Sequence, residues 1–304
     1  MNGTEDGDIF SGASTIALMH AAEISRFCAL GTTWAVLYEH VSTLDLEIEH
    51  IWKKQWTTAK ILFLMLRYFG GGILLFECAM FMSSHPTKNV CLFSFNYMPI
   101  FNCITIWICH GILQLRVYAL YRRSKKILYT LSILFFCEVC GMIYSIATRK
   151  LSVQIVNAPL PNVHLCRLIK APQQLFSFWI FVMAFESVLF IMVLRITIQD
   201  FRDIRAALGR GRVSLVYVVF RDSLVHFFVI FAASMLTTSA WVTAPTKQPP
   251  VSGCFAQAFS IILAARLILN LCETHSRNIQ VGENVWTTAW DIQTRSALDL
   301  HRRT

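Results

Sequence analysis

The chain has 304 residues, of which 55% are hydrophobic and only 15% are charged, and its mean hydropathy is +0.53. Soluble domains carry about a quarter charged residues, so this composition excludes an ordinary soluble globular protein. The net charge of +9 does not indicate nucleic-acid binding, because the basic residues form short clusters between long apolar runs. We therefore expect a multi-pass membrane protein whose main partner is the lipid bilayer.

Residues 1–23 are predicted to form a short N-terminal segment outside the membrane. The segment is acidic, and no basic stretch precedes an apolar core, so it lacks the pattern of a cleavable signal peptide. The first span itself is then expected to direct insertion. Asn2, with Gly3 and Thr4, forms a glycosylation sequon, which is relevant only if this end of the chain is extracellular.

Seven apolar segments follow, and each is close to the roughly 20 residues that a helix needs to cross the hydrocarbon core. The predicted spans are residues 24–44, 58–82, 97–121, 127–148, 173–197, 216–243 and 253–272. The predicted fold class is all-α, a seven-transmembrane helix bundle over residues 24–272. Residues 273–304 are expected to form a cytoplasmic tail with an amphipathic helix along the inner membrane surface.

The distribution of Lys and Arg predicts the orientation of the bundle. The connections after the first, third and fifth spans and the C-terminal tail hold fourteen basic residues, whereas the three connections on the other side hold six. Because cytoplasmic loops carry the excess of Lys and Arg, the N-terminus is expected outside and the C-terminus in the cytoplasm. Either the plasma membrane or an internal membrane fits this topology.

The connection between the first two spans combines acidic, aromatic and basic residues in a distinctive order. Trp52 and Trp56, at helical spacing around two lysines, suit a short interfacial helix with indole rings at headgroup depth. The order along the chain is Leu44, Asp45, Glu47, Glu49, Ile51, Trp52, Lys53, Trp56, Lys60, Leu62, Phe63, Leu64, Arg67 and Tyr68.

This segment resembles the signature of an uncharacterised family of fungal, mostly basidiomycete, multi-pass membrane proteins that carry the domain of unknown function 6533. The signature covers about residues 27–72. Weaker likeness continues in residues 115–128, 221–231 and 264–271, so the resemblance extends over about residues 27–273. It implies a seven-span architecture and brings no established activity.

Two cysteines lie in connections that the topology places on the outer, oxidising side. Cys91 precedes the third span, and Cys166 lies in the long connection before the fifth span. We expect these two to form a disulfide, with Cys254 as the competing partner. The cysteines within the spans, including Cys137 and Cys140, are expected to pack as small apolar residues.

Ionisable and polar side chains within the predicted spans form two layers when their depth is calculated at about 1.5 Å per residue. An unpaired charge in lipid is costly, so these groups should face inward and pair in an intramembrane polar network. We predict an ion pair between Asp222 and Arg266, with Arg116 and Arg221 as alternative donors. The mid-membrane layer contains Arg67, His110, Glu138, Glu186 and His226, and the layer nearer the cytoplasm contains Arg116, Arg221, Asp222, Arg266 and Asn270.

The catalytic motifs expected of membrane enzymes are absent from the sequence. It contains no His-x-x-x-His metal-ligand pair on a span, no Gly-x-Ser-x-Gly elbow and no phosphate-binding loop. The last span has no lysine for a retinal Schiff base. We expect no catalytic residues, metal or cofactor; a metal shared by His110, His226 and one of the two glutamates is the alternative.

The leading functional hypothesis is a receptor-like protein that senses a small-molecule or lipid ligand and contacts a cytoplasmic coupling protein. Arg116, Val117 and Tyr118 occupy the place where receptors of this topology keep an Arg-Tyr switch, although Leu115 replaces the usual acid. The first alternative is a transporter or channel that uses the intramembrane charges. The second is a membrane-bound enzyme.

Overall fold

The computed structural model describes residues 12–83, 87–149, 155–156, 167–168, 175–208, 215–243 and 253–273, apart from some side chains within these ranges. These residues are almost entirely helical. The α-helices are α1 (Gly12–Ser42), α2 (Leu44–Glu47), α3 (Thr58–Leu64), α4 (Gly71–Met82), α5 (Lys88–Leu120), α6 (Lys125–Arg149), α7 (Leu175–Leu208), α8 (Leu215–Thr243) and α9 (Gly253–Glu273). Two π-helices are inserted, π1 (Ile48–Trp52) after α2 and π2 (Met65–Gly70) between α3 and α4.

Five helical segments are long and apolar enough to cross a membrane. They are Thr58–Met82, Leu92–Leu120, Lys125–Thr148, Ser177–Gln199 and Gly253–Glu273. Each coincides with one of the predicted spans to within a few residues, because long apolar runs with few charges are the strongest structural signal in a sequence. The predicted span 24–44 overlaps α1, which ends at Ser42, and the predicted span 216–243 falls within α8.

The segment between α1 and α3 differs from the predicted interfacial helix. The helix that contains Trp52 ends there as π1, and Trp56 lies in the non-helical stretch before α3, so the two indoles do not share a helical face. Thr57 starts α3, since its side chain accepts a hydrogen bond from the Lys60 amide at 3.3 Å. Both tryptophan side chains are nevertheless exposed, as expected for residues at a membrane interface.

Helix α5 lies at the centre of the bundle. It packs against the α3–π2–α4 segment on one side and against α6 and α7 on the other. Helix α9 also contacts this centre, where a Cβ at Gly70 would lie 3.1 Å from Thr105 of α5 and 3.2 Å from Ile261 of α9. One continuous apolar core joins buried residues from α1 through α9.

Large apolar side chains also cover outward surfaces of the bundle. On α6 the exposed residues Tyr129, Ile133, Phe136 and Tyr144 follow helical spacing, and α6 is the least buried of the five apolar helices. Soluble monomers rarely expose continuous apolar surfaces of this kind, whereas a lipid-facing helix requires them. The side chains of Cys137 and Cys140 are exposed on this same helix, so they do not pack against neighbouring helices, although we predicted that they pack as small apolar residues.

The long connection between α6 and α7 contains a short antiparallel pairing. Residues β1 (Ile155–Val156) pair with β2 (Arg167–Leu168), and β1 lies against α5. The cysteine pair that we predict for this region falls outside the described part, because Cys166 and the side chain of Cys91 are not among the described atoms. Its competitor Cys254 is a buried free thiol. Asn2 and the tail 274–304 also lie outside the described residues.

Candidate polar sites within the helix bundle

The first site, which we call the signature cluster, consists of Glu47, Arg67, Thr43, Trp52 and Tyr68. Arg67 Nε lies 2.6 Å from Glu47 Oε2, and the side chains are 1% and 0% exposed, so this ion pair is fully enclosed. We predicted Glu47 as one of three acids at the membrane interface, and the structure corrects this, because the chain folds back and buries the carboxylate against π2. Asp45 and Glu49 remain exposed.

The remaining hydrogen bonds of the cluster join three elements of the chain. The Arg67 guanidinium donates to Thr43 Oγ1 at 2.9 Å and to the His40 carbonyl at 2.7 Å, which ties π2 to the end of α1. Glu47 Oε1 accepts from Trp52 Nε1 at 3.0 Å and from the Tyr68 hydroxyl at 2.9 Å. The five-residue separation of Glu47 and Trp52 matches the i to i+5 spacing of π1, so the π-helical turn places the indole over the carboxylate.

Lys60 of α3 binds the end of π1 and the turn that follows it. Its Nζ donates to the Lys54 carbonyl at 2.9 Å and to the Trp52 carbonyl at 3.3 Å, and it lies 4.5 Å from the centre of the Trp56 ring. An ammonium at the C-terminal end of a helix satisfies carbonyls that have no partner within that helix. The lysine and tryptophan side chains of the signature therefore hold the turn as well as marking its membrane depth.

The second site is an ion pair between the first and last helices. Arg266 of α9 donates from Nε and Nη2 to both carboxylate oxygens of Glu39 on α1, each at 2.6 Å. This two-bond geometry is the strong form of an arginine–carboxylate contact. We predicted that Arg266 pairs with Asp222; the side chains of Asp222 and Arg221, both on α8, are outside the described part, so that pair stays a prediction.

The third site, the central triad, consists of His110 of α5, Glu138 of α6 and Glu186 of α7. His110 Nδ1 lies 2.8 Å from Glu138 Oε1, and His110 Nε2 lies 3.4 Å from Glu186 Oε1. The Glu138 carboxylate is out of line with the ring nitrogen, so this contact is one of charge proximity rather than a well-formed hydrogen bond. Phe185 packs on the imidazole at 5.2 Å between ring centres.

The triad is not arranged as a metal site. Because the two carboxylates approach opposite nitrogens of one imidazole, they lie on different sides of the ring and do not converge on a common point. Among the residues that the structure describes, no group of three or more His, Cys, Asp or Glu side chains is placed to hold a metal ion. All three side chains of the triad belong to titratable types that can each carry a proton.

The other members of the predicted network lie in the bundle with their own contacts. Arg116 is buried on α5, His226 is half-buried on α8, and Asn270 is exposed near the end of α9. We predicted that Arg67 and His226 share a mid-membrane layer with the triad; the described contacts of Arg67 belong to the signature cluster.

Three acidic residues with roles in these sites were missed by the sequence analysis. Glu39 binds Arg266, Glu47 binds Arg67, and Glu77 of α4 accepts a hydrogen bond from Asn102 Nδ2 of α5 at 2.7 Å. A signal for the first two exists, because Glu39, Thr43 and Glu47 recur every four residues and thus share one helical face. Glu77 offered the same signal as Glu138, an acid within an apolar run.

Close packing of α6 on α7 beside the triad gives a testable prediction. A Cβ at Gly141, three residues after Glu138, would lie 2.6 Å from the ring of Phe181, so Gly141→Ala must push α6 and α7 apart. We expect a loss of about 1 to 3 kcal/mol in stability, read as a lower Tm of the purified protein. The control is Gly72→Ala, where nothing lies within 4 Å of the added Cβ. Equal Tm values for the two variants would contradict the packing.

Comparison with known proteins gives one family match. Residues 27–70 match the model of a family of unknown function, DUF6533. No curated protein and no solved structure matches the chain. The matched residues include the whole signature cluster and Glu39, whereas Arg266 and the central triad lie beyond it. The similarity to a family of unknown function and the five apolar helices together fit an integral membrane protein.

Proposed function

We propose that the chain is a seven-span integral membrane protein with its N-terminus on the outer side and its tail in the cytoplasm. Helices α1 and α8 have 31 and 29 residues, each longer than the roughly 20 that a span requires, and they would complete the five apolar helices to seven. The excess of Lys and Arg in the connections on one side, fourteen against six, supports the orientation.

The orientation can be tested with epitope tags. A tag before Met1 should bind antibody on intact cells or sealed vesicles of the same sidedness, and a tag after Thr304 should bind only after permeabilisation. The two tagged proteins control each other, since each tag must become accessible once the membrane is opened. The reverse pattern would overturn the topology and, with it, the assignment of Cys91 and Cys166 to the oxidising side.

We propose further that this protein acts as a receptor-like sensor of a small-molecule or lipid ligand, without catalytic activity of its own. The supporting observation is the Glu39–Arg266 pair, which joins the first and last helices by two hydrogen bonds while leaving the arginine half-exposed. A partly exposed contact between two helices can exist in a formed and a broken state. These two states would correspond to two arrangements of the helices, which is what a sensor requires.

The sensor proposal is tested by identifying what the protein binds. We expect a small molecule or lipid to co-purify with the protein in mass spectrometry and to raise its Tm when added back. Coupling to a cytoplasmic partner is tested by nucleotide exchange on added G protein. Two negative results together would contradict ligand sensing. The purified protein would carry no enriched molecule, and lipids and metabolites extracted from its host cells would leave its Tm unchanged.

A transporter or channel is the second candidate, and the central triad is the observation that favours it. Three titratable groups from three helices meet inside the protein, and intramembrane ionisable residues often mark ion or proton pathways. The test is proton or solute flux in liposomes. Flux that is lost in Glu138→Gln and retained in the exposed Glu49→Gln would favour transport over sensing.

A further inference from the structure

The central triad is closed to solvent by the protein itself. His110, Glu138 and Glu186 are 1%, 3% and 5% exposed. Glu138 Oε1 faces His110 Nδ1 at 2.8 Å, whereas Oε2 of Glu138 and Oε2 of Glu186 receive no hydrogen bond from the residues that the structure describes. A buried ionised carboxylate needs hydrogen-bond donors or a cation. The ionised form of these two carboxyl groups is therefore unfavourable in this environment.

The net charge of the triad depends on the number of protons that it holds. With a neutral imidazole and two ionised carboxylates, its net charge is −2, with one added proton it is −1, and with two it is zero. A residual negative charge enclosed in apolar surroundings is strongly disfavoured. The neutral form, with two protons shared among one imidazole and two carboxyl groups, is therefore the form that closed packing favours.

The charged groups that act on His110 are Glu138 and Glu186 themselves, and the neighbouring ionisable group on α5 is the thiol of Cys109. Helix α9 contributes the backbone carbonyl of Ser260 beside Cys109, and His226 lies on α8, which packs against α7. The ring of Phe185 covers the imidazole and makes the site still less polar.

We infer that the central triad is a proton-binding site, which is neutral while α5, α6 and α7 are packed together and releases a proton when α6 moves away. This inference deepens the transport candidate, but it concerns proton binding and does not require flux. The proton passes between bulk water and a carboxyl group, so no other reactant is needed.

Helix α6 is suited to carry this motion. It is the least buried of the apolar helices, and its contact with α5 near the triad includes the hydrogen bond from Trp107 Nε1 to Met142 Sδ at 3.3 Å. Trp107 lies about one turn before His110 on the same helix. The fluorescence emission of its indole therefore reports whether α6 lies against α5 at the level of the triad.

The test uses the full chain in lipid nanodiscs and infrared difference spectra between about pH 5 and about pH 9. We expect the wild-type protein to lose the carbonyl band of a buried protonated carboxylic acid as pH rises, together with a change in Trp107 emission, taken as the difference from Trp107→Phe. The band should be absent or shifted in Glu138→Gln or Glu186→Gln. Glu77→Gln is the matched control, since Glu77 is a half-buried acid within the bundle with its own amide donor, Asn102.

The Glu77→Gln spectrum isolates the triad band even if a triad variant fails to fold, because Glu77 is itself an acid within the bundle that can contribute a carbonyl band. No pH-dependent band of a protonated carboxylic acid in the wild type would overturn the inference, and so would a band that survives in both triad variants and disappears only in Glu77→Gln. A spectral change that follows sodium concentration at constant pH would also overturn it, in favour of a cation site. Proton binding without flux would support the inference and would contradict only the transport candidate.

Discussion

Removing the charge of either Glu47 or Arg67 is expected to cost about 3 to 5 kcal/mol of stability, because each change leaves the other charge buried without its partner. Glu47→Gln keeps an oxygen that can accept from Trp52 and Tyr68, so it removes mainly the negative charge. Arg67→Met keeps much of the side-chain volume and removes the positive charge. Both changes should lower Tm sharply and reduce the amount of protein that reaches the membrane.

The double variant Glu47→Gln, Arg67→Met should be less damaging than the sum of the two single changes, since neither charge is then stranded. Thermal unfolding of the four proteins gives the coupling energy directly. Glu49→Gln is the matched control: it is the same substitution two residues away on an exposed side chain, and we expect it to change stability by no more than about 0.5 kcal/mol. Additive single effects would show that the pair does not hold the segment together.

The helices could be predicted well from the sequence because hydropathy reports directly on burial in lipid. Five predicted spans coincide with the apolar helices of the structure to within a few residues. The two π-helices could not be predicted, because their hydrogen-bond pattern depends on tertiary contacts rather than on composition.

The pairing partners of charged residues within the bundle were harder to predict than the positions of the spans along the sequence. Residue position along a span gives the depth of a charge, but the sequence does not say which helices are neighbours or how each is rotated about its axis. We paired Arg266 with Asp222 because a short connection joins their helices, whereas the structure pairs it with Glu39 of α1. The side chain of Asp222 lies outside the described residues, so its pairing with Arg266 stays a prediction.

Burial of Glu47 shows a second limit of sequence reasoning. An acid in a polar connection is normally solvated, and the flanking residues Asp45 and Glu49 are exposed as this rule predicts. Glu47 is buried because π1 turns the connection back onto π2, where Arg67 provides a charge that itself needs a partner. The four-residue spacing of Glu39, Thr43 and Glu47 was the available clue, since Thr43 donates to the Glu39 carbonyl at 2.7 Å and accepts from Arg67.

The Glu39–Arg266 pair should respond unequally to loss of its two members. The carboxylate side chain is 7% exposed and the guanidinium side chain 51% exposed. Without Arg266, the Glu39 charge stays buried and loses both of its arginine donors, so Arg266→Leu should cost about 3 to 5 kcal/mol. Without Glu39, the arginine can extend its half-exposed side chain towards the nearby end of α9, so Glu39→Leu should cost clearly less.

Arg266→Lys distinguishes the two-bond geometry from simple charge pairing. An ammonium is a compact donor that cannot hold both carboxylate oxygens in the parallel arrangement of a guanidinium, so lysine should recover only part of the stability that leucine loses. Arg202→Leu, at an exposed position near the end of α7, is the matched control for loss of an arginine and should have little effect.

A double-mutant cycle over Glu39→Leu and Arg266→Leu completes this test, with Tm and membrane expression as readouts. Strong coupling with the larger single effect at Arg266 would show that the pair holds the first helix to the last. If Glu39→Leu is the more damaging change, the arginine is exposed to lipid rather than to the interface, because a stranded cation is expensive there. Effects that add without coupling would mean that α1 and α9 are held together by apolar packing, and that breaking this pair cannot be the step that separates two states of a sensor.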